Sequence, residues 1–373
     1  MGEKKSGIDE KRLAEYAAQI KEIHEQPRAI KNTLNSVIKD GVIDLTSSGL
    51  KKEIIEATEQ IYIVACGSAY HAGVALQYVM EDLARIPVRV ELASEFRYRN
   101  PILEKNSLVI VISQSGETAD TLAALRLAKN KKIPTLAIVN VIGSTIAREA
   151  DYVFYTLAGP EISVATTKAY SAQLIAGDLL AIQMAYMKGK IDSEGYKKLI
   201  IELQKIPNLI EKILLDSKER IQWFASKYAN AKDVFFIGRG IDYAVSMEGS
   251  LKLKEISYIH SEAYAAGELK HGPIALIEQG SLVIAVATQP NIAAKTISNI
   301  QETIARGANV ILFTIDGQEV GNVKETYILP DVDPILQSVL VAVPLQLIAY
   351  YAAGLKGCDV DKPRNLAKSV TVE

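Results

Sequence analysis

The chain has 373 residues, 49% hydrophobic and 23% charged, with 42 basic side chains against 44 acidic ones and a net charge of −2. This is the profile of a globular protein with a sizeable core, long enough for two domains of ordinary size. No basic patch is interleaved with aromatics, so nucleic acid is not an expected partner. His24, His71, His260 and His271 lack metal-ligand spacing and no dinucleotide fingerprint is present, so neither a metal nor a cofactor is expected. Cys66 and Cys358 cannot build a disulfide framework and fit a reducing cytoplasm. The polar residues 1–7 do not read as a signal peptide. The longest apolar stretch, 339–355, is interrupted by Pro344 and Gln346 and reads as a buried helix rather than a membrane span.

In chain order, residues 1–45 read as a leader with helices. Short β-rich runs at 61–65, 88–92, 108–112, 135–139 and 152–156 predict a first domain over 46–190. A helical connection is expected over 191–225. Runs at 233–237, 282–286, 309–314 and 326–329 predict a second domain over 226–356, followed by a tail, 357–373. Helical patterns occupy about 166–188, 193–215 and 334–355. Strands alternating with helices predict an α/β fold of two doubly wound domains, each a parallel sheet flanked by helices. The two series read as a duplication: Gly67 aligns with Gly240, Ser107 with Ser281 and Thr135 with Val310, at offsets of 173, 174 and 175.

The run 109–112 ends in Ser113, Gln114, Ser115, Gly116, Glu117 and Thr118, and a helical pattern follows from Ala119 to about Ala128. The first turn of a helix carries unpaired N–H groups and the positive dipole end, so it holds an anion well. Three hydroxyls and an amide add donors without charge, and Gly116 allows close approach of the backbone. Phosphate binding is the functional reading; an ordinary capped turn is the plain one. Ligands of open parallel sheets bind beyond the carboxyl ends of the strands. Gly67 and Ser68 belong there, and so does the segment from Val164 through Thr166 and Thr167, whose hydroxyls either cap a helix or meet the ligand. Cys66 reads as packing more readily than as a reactive thiol. In the second series the equivalent strand end, 287–291, is poor in hydroxyls, so the phosphate site belongs to the first domain.

Reactive candidates lie in the second domain. Glu248, Lys252 and Glu255 share one helix face at i, i+4 and i+7. They form either a solvated ladder or, among their small and apolar neighbours, a catalytic group in which a partly buried glutamate of raised pKa shuttles a proton. His271 precedes a Gly-Pro turn and reads as a cap, a core histidine or an acid–base group. The tail would fray on composition alone, but Lys368 could form an imine in a closed site.

With these residues in view, the chain from about Glu22 to Glu373 resembles the isomerase half of the glutamine:fructose-6-phosphate amidotransferases. The segments that carry the resemblance are 25–33, 93–98, 113–121, 251–260, 262–273 and 363–373. The phosphate turn alone marks only the wider sugar-isomerase (SIS) class; the last three segments together are specific. The resemblance implies a sugar phosphate held by Ser113, Gln114, Ser115 and Thr118, with Ser68, Val164, Thr166 and Ala367 around it. It implies Glu255 as the base between C1 and C2, Glu248 and Lys252 positioning sugar and base, and Lys368 as the imine lysine. His271 would open the sugar ring from the neighbouring subunit of a homodimer. One departure stands out: family members carry Thr-Ser where this chain has Ser68 and Ala69, a missing hydroxyl that costs about 1 kcal/mol of binding.

The implied reaction joins fructose 6-phosphate and ammonia into glucosamine 6-phosphate, the first step of the hexosamine pathway, with no cofactor or metal. In the full enzyme a glutaminase domain supplies the ammonia. The residues before Glu25 do not suffice for that domain, and the start reads as the place where a linker was cut. Other readings are a stand-alone aldose–ketose isomerase, a glucosamine-6-phosphate deaminase, or a sugar-phosphate sensor without turnover. Neither nucleic acid nor membrane is an expected partner.

Overall fold

The computed structural model describes residues 17–372. In the first half, strands β1 (Gln60–Ala65), β2 (Val88–Leu92), β3 (Ser107–Ser113), β4 (Thr135–Val139) and β5 (Tyr152–Tyr155) form one sheet. All of its pairings are parallel, in the order β2-β1-β3-β4-β5. The second half repeats this with β6 (Asp233–Gly238), β7 (His260–Ala265), β8 (Leu282–Ala287), β9 (Asn309–Ile315) and β10 (Glu325–Leu329). Its order, β7-β6-β8-β9-β10, is the same path, again wholly parallel. The duplication seen in the sequence is therefore one of topology.

Strand β7 is missing from the sequence reading. The repeat itself points to it, since Val88 shifted by 173 falls on Ser261, but the polar His260, Ser261 and Glu262 hide the strand pattern. The other expected strands are found, most extended by a residue at one end.

Parallel strands must be bridged by crossovers, which here are mostly helical. The helices used below are α1 (Ala18–His24), α2 (Gln26–Val37), α3 (Gly67–Leu83), α4 (Ala119–Asn130), α5 (Lys168–Met187), α6 (Ser193–Asp216), α7 (Lys218–Tyr228), α8 (Ile241–Ser257), α9 (Ala293–Ile304) and α10 (Gln337–Leu355). Sheets covered on both faces read as continuous apolar runs, and every residue of β3 is buried.

One apolar core joins the two halves. It includes Ile63 and Ile110 of the first sheet, Phe236 and Ile284 of the second, and residues of α5 and α10. Separate clusters cover the outer faces, around Val109 and Leu125 and around Val283 and Leu312. Helix α10 is apolar and long enough to cross a membrane, yet 89% of its most apolar window is buried within the fold. It is a core helix, as its sequence suggests. Gln346 within it accepts from Gln26 Nε2 at 3.0 Å, and Gln26 Oε1 accepts from Ser171 at 2.5 Å. That buried chain of side chains ties α2, α5 and α10 together. With the core shared, α3 of the first half packs against α8 of the second, which places the site between them.

Candidate active site

The strand order reverses between β1 and β3, so their carboxyl ends open a crevice where doubly wound sheets bind ligands. A cavity of about 260 Å³ lies there. Ser68, Ser113, Gln114, Ser115, Thr118, Val164, Thr166, Ala367, Lys252, Glu255 and Lys368 line it, which unites residues spread over most of the chain.

The turn after β3 is built for a neutral set of donors. Gly116 has φ +66°, and a Cβ there would sit 2.0 Å from Ser144 Oγ, so only glycine fits. Its N–H donates to Ser113 Oγ at 3.0 Å, and Ser113 Oγ lies 3.1 Å from Thr118 Oγ1. Thr118 occupies the N-cap position of α4 without capping it, so its hydroxyl is not committed to the helix. Glu117 could repel an anion, but its carboxylate accepts from the Thr145 N–H at 2.7 Å.

On α8 the three charged residues do share a face. Lys252 Nζ lies 2.6 Å from Glu255 Oε2 and 3.4 Å from Glu248 Oε1, and donates to Ser68 Oγ at 3.0 Å. His71 Nδ1 of α3 lies 2.9 Å from Glu248 Oε2. Burial alone would raise the Glu248 carboxyl, but Lys252, His71 and Ser68 together hold it below its ordinary value. The expectation of a raised glutamate pKa thus fails for Glu248. Burial would equally lower Lys252, and the two glutamates outweigh it and raise the ammonium instead. Lys252 is a fixed cation. Lys252 and Glu255 both line the cavity and Glu248 does not; Glu255 is the most open, with 21% of its side chain exposed against 2% for each of the others.

The tail is pinned rather than frayed. Asp361 O accepts from the Val164 N–H at 3.0 Å, and its carboxylate accepts from Ala18 and Gln19 at 2.7 and 2.9 Å. Arg364 stacks 4.1 Å over Tyr258. Ser369 Oγ lies 3.0 Å from Ser115 Oγ, and Ala119 N–H donates to Val370 O at 3.0 Å. Lys368 Nζ donates to Glu161 Oε2 at 2.6 Å.

Glu161 is the site residue that sequence reasoning missed. Its Oε1 accepts from Thr167 and Ala169 N–H at 2.9 and 3.1 Å, so this carboxylate caps α5. Thr167 does not take that role; its buried hydroxyl has no hydrogen-bond partner among the described residues, while Thr166 lines the cavity. An acidic residue a few positions ahead of a helix start was the available signal. Across the same loop, Glu22 accepts from the Ile162 and Ser163 N–H groups. Burial, reinforced by the charge of Glu161, pushes its carboxyl up to about 7.

His271 stands apart from the cavity, whereas Cys66 lines it. His271 ends the short turn Ala266–His271, is exposed, and lies outside the cavity of this chain. Cys66 lies 3.7 Å from Thr121 Oγ1 and burial pushes its thiol up, which suits packing. At the second sheet's strand end, Thr288 donates its N–H to the buried Asp242 carboxylate at 2.8 Å. An internal carboxylate thus sits where the first half has its hydroxyl-rich turn.

This arrangement of two doubly wound sheets with a hydroxyl-rich turn at the switch point defines a class, and the model of the SIS domain matches residues 53–183 and 227–356. The chain belongs to the SIS-domain family, with two copies of the domain. Its relatives include the glutamine–fructose-6-phosphate aminotransferase [isomerizing] of Caldanaerobacter subterraneus subsp. tengcongensis, 60% identical over 95% of the chain, and that of Clostridium tetani, 57% identical over the same share. The chain spans 59% of the length of each. The C-terminal domain of glucosamine-fructose-6-phosphate aminotransferase from Francisella tularensis is 41% identical with a TM-score of 0.89, covering 92% of this chain and 98% of that one. The match is thus to the C-terminal isomerase part of these enzymes.

Proposed function

We propose that the chain converts fructose 6-phosphate and ammonia into glucosamine 6-phosphate and water, as the isomerase part of a glutamine–fructose-6-phosphate aminotransferase. The observation that carries this is the convergence of Glu255, Lys252 and the tail lysine on the cavity that holds the hydroxyl turn, with Glu248 paired to Lys252 outside its lining. The phosphate sits on Ser113, Gln114, Ser115 and Thr118, at the dipole end of α4. Ser68, Val164, Thr166 and Ala367 surround the sugar.

His271 of a second subunit opens the ring, so the working unit is a homodimer. Lys368 displaces the C2 oxygen as water and forms an imine. Ammonia then adds at C2 and releases the lysine. Glu255 takes a proton from C1, and C2 regains one as the aldehyde forms at C1. Lys252 fixes Glu255 and keeps positive charge beside the enolamine that develops. The chain works in the cytoplasm, and ammonia comes from a glutaminase domain in the full-length enzyme.

Incubating the purified chain with fructose 6-phosphate and ammonium tests this. Glucosamine 6-phosphate is expected from wild type and not from Lys368→Ala. Tight binding of the sugar phosphate with neither glucosamine 6-phosphate nor glucose 6-phosphate formed would sink the proposal in favour of a sensor.

A further inference from the structure

The proposed imine step needs a base that nothing so far supplies. An amine attacks a carbonyl only as the neutral form, and a lysine near neutrality is an ammonium. A general base must lie within hydrogen-bond reach of the proton it takes. The carboxylate that does so is Glu161, with Oε2 2.6 Å from Lys368 Nζ.

Its geometry is fixed in advance. The Glu161 side chain is completely buried, and its other oxygen is held by the two N–H groups at the start of α5. Lys368 is 23% exposed and lines the cavity, whereas Glu161 does not, so the ammonium stands between the carboxylate and the cavity. The charged groups in the field of Glu161 are Lys368, Glu22 across the loop, and Lys252 beneath the cavity.

We infer that Glu161 is a catalytic residue: the acid–base partner of Lys368 during imine formation. This rests on the reading of Lys368 given above. The ammonium passes one proton to Glu161 Oε2, and the freed lone pair forms the N–C2 bond as the carbonyl pair moves onto oxygen. Glu161 returns that proton to the oxygen. A second proton then passes from nitrogen through the same carboxylate to the C2 hydroxyl, the C2–O bond breaks with its electron pair on oxygen, and water departs as the nitrogen lone pair forms the C=N bond. Nitrogen keeps one proton as the protonated imine, and Glu161 ends unchanged.

Borohydride trapping of the Lys368 adduct with fructose 6-phosphate tests this in the purified chain, with the modified peptide found by mass. Glu161→Gln keeps an oxygen for the two N–H groups of α5 but cannot accept the proton. Its trapping rate should fall about 10²-fold near neutral pH, the usual scale of general acid–base help. Sugar-phosphate binding should stay close to that of wild type. The deficit should narrow as pH rises, because an amine already in its neutral form no longer needs the base. A trapping rate equal to wild type, or a deficit that is the same at every pH, overturns the role of Glu161. No Lys368 adduct in wild type instead overturns the imine reading on which it rests. Glu161→Asp keeps the charge with a shorter reach and should lose less; if it is the variant that folds, a wild-type rate in it overturns the inference too.

Discussion

Replacing Lys252 by methionine keeps most of the side-chain volume and removes the charge that two glutamates share. Glu248 would then be a buried carboxylate that has lost its ammonium and keeps the His71 imidazole, at 2.9 Å, as a hydrogen-bond partner. In wild type the Lys252 ammonium lies 3.4 Å from Glu248 and 2.6 Å from Glu255. An opposite charge at such range contributes about 4 kcal/mol at an effective dielectric of about 20. Removing one partner of a buried pair costs about 3–5 kcal/mol, because the other charge stays desolvated. Lys252→Met should therefore lose about 3–5 kcal/mol against urea, read by far-UV circular dichroism and by Trp223 fluorescence. Adding Glu248→Gln removes the stranded charge, so the double variant should be more stable than Lys252→Met alone. A loss below about 1 kcal/mol, the range of an exposed pair, would refute the picture of a desolvated trio. So would a double variant no more stable than the single one.

Three further outcomes are expected. Gly116→Ala meets both a positive φ and a 2.0 Å contact with Ser144, so it should cost about 1–3 kcal/mol and weaken sugar-phosphate binding; unchanged affinity would argue against the turn as the phosphate site. Glu22 titrates near 7 in the fold against an ordinary 4.5, so between those values the unfolded chain has released a proton that the native state still holds. Stability should fall by up to about 3 kcal/mol as pH rises through that window, and Glu22→Gln should flatten the fall; a pH profile identical to wild type would contradict this. Mixing His271→Ala with Lys368→Ala subunits should restore about a quarter of wild-type turnover through hybrid dimers, and no recovery after subunit exchange would speak against a shared site.

The fold was legible because parallel strands buried on both faces announce themselves as apolar runs, and because the chain states its pattern twice. β7 escaped as a polar edge strand, although the repeat offset marks its place. The candidate site was legible where its residues lie at local spacing: the 113–118 turn after β3, and the i, i+4, i+7 face of α8. Glu161 was not, because its roles as helix cap and lysine partner depend on a tail more than two hundred positions away folding back over the cavity. The direction of the Glu248 shift was also hidden. It turns on His71, which comes from the other half of the molecule.

Proton transfer by Glu255, on a sugar whose phosphate lies in the 113–118 turn, is the central step of the proposed reaction. Turnover of fructose 6-phosphate to glucose 6-phosphate by the purified chain, wild type beside Glu255→Gln, measures that step without ammonia or glutaminase. Interconversion by wild type, with loss of about 10²-fold or more in Glu255→Gln at similar substrate affinity, is the predicted result. Equal turnover by the two proteins would contradict it.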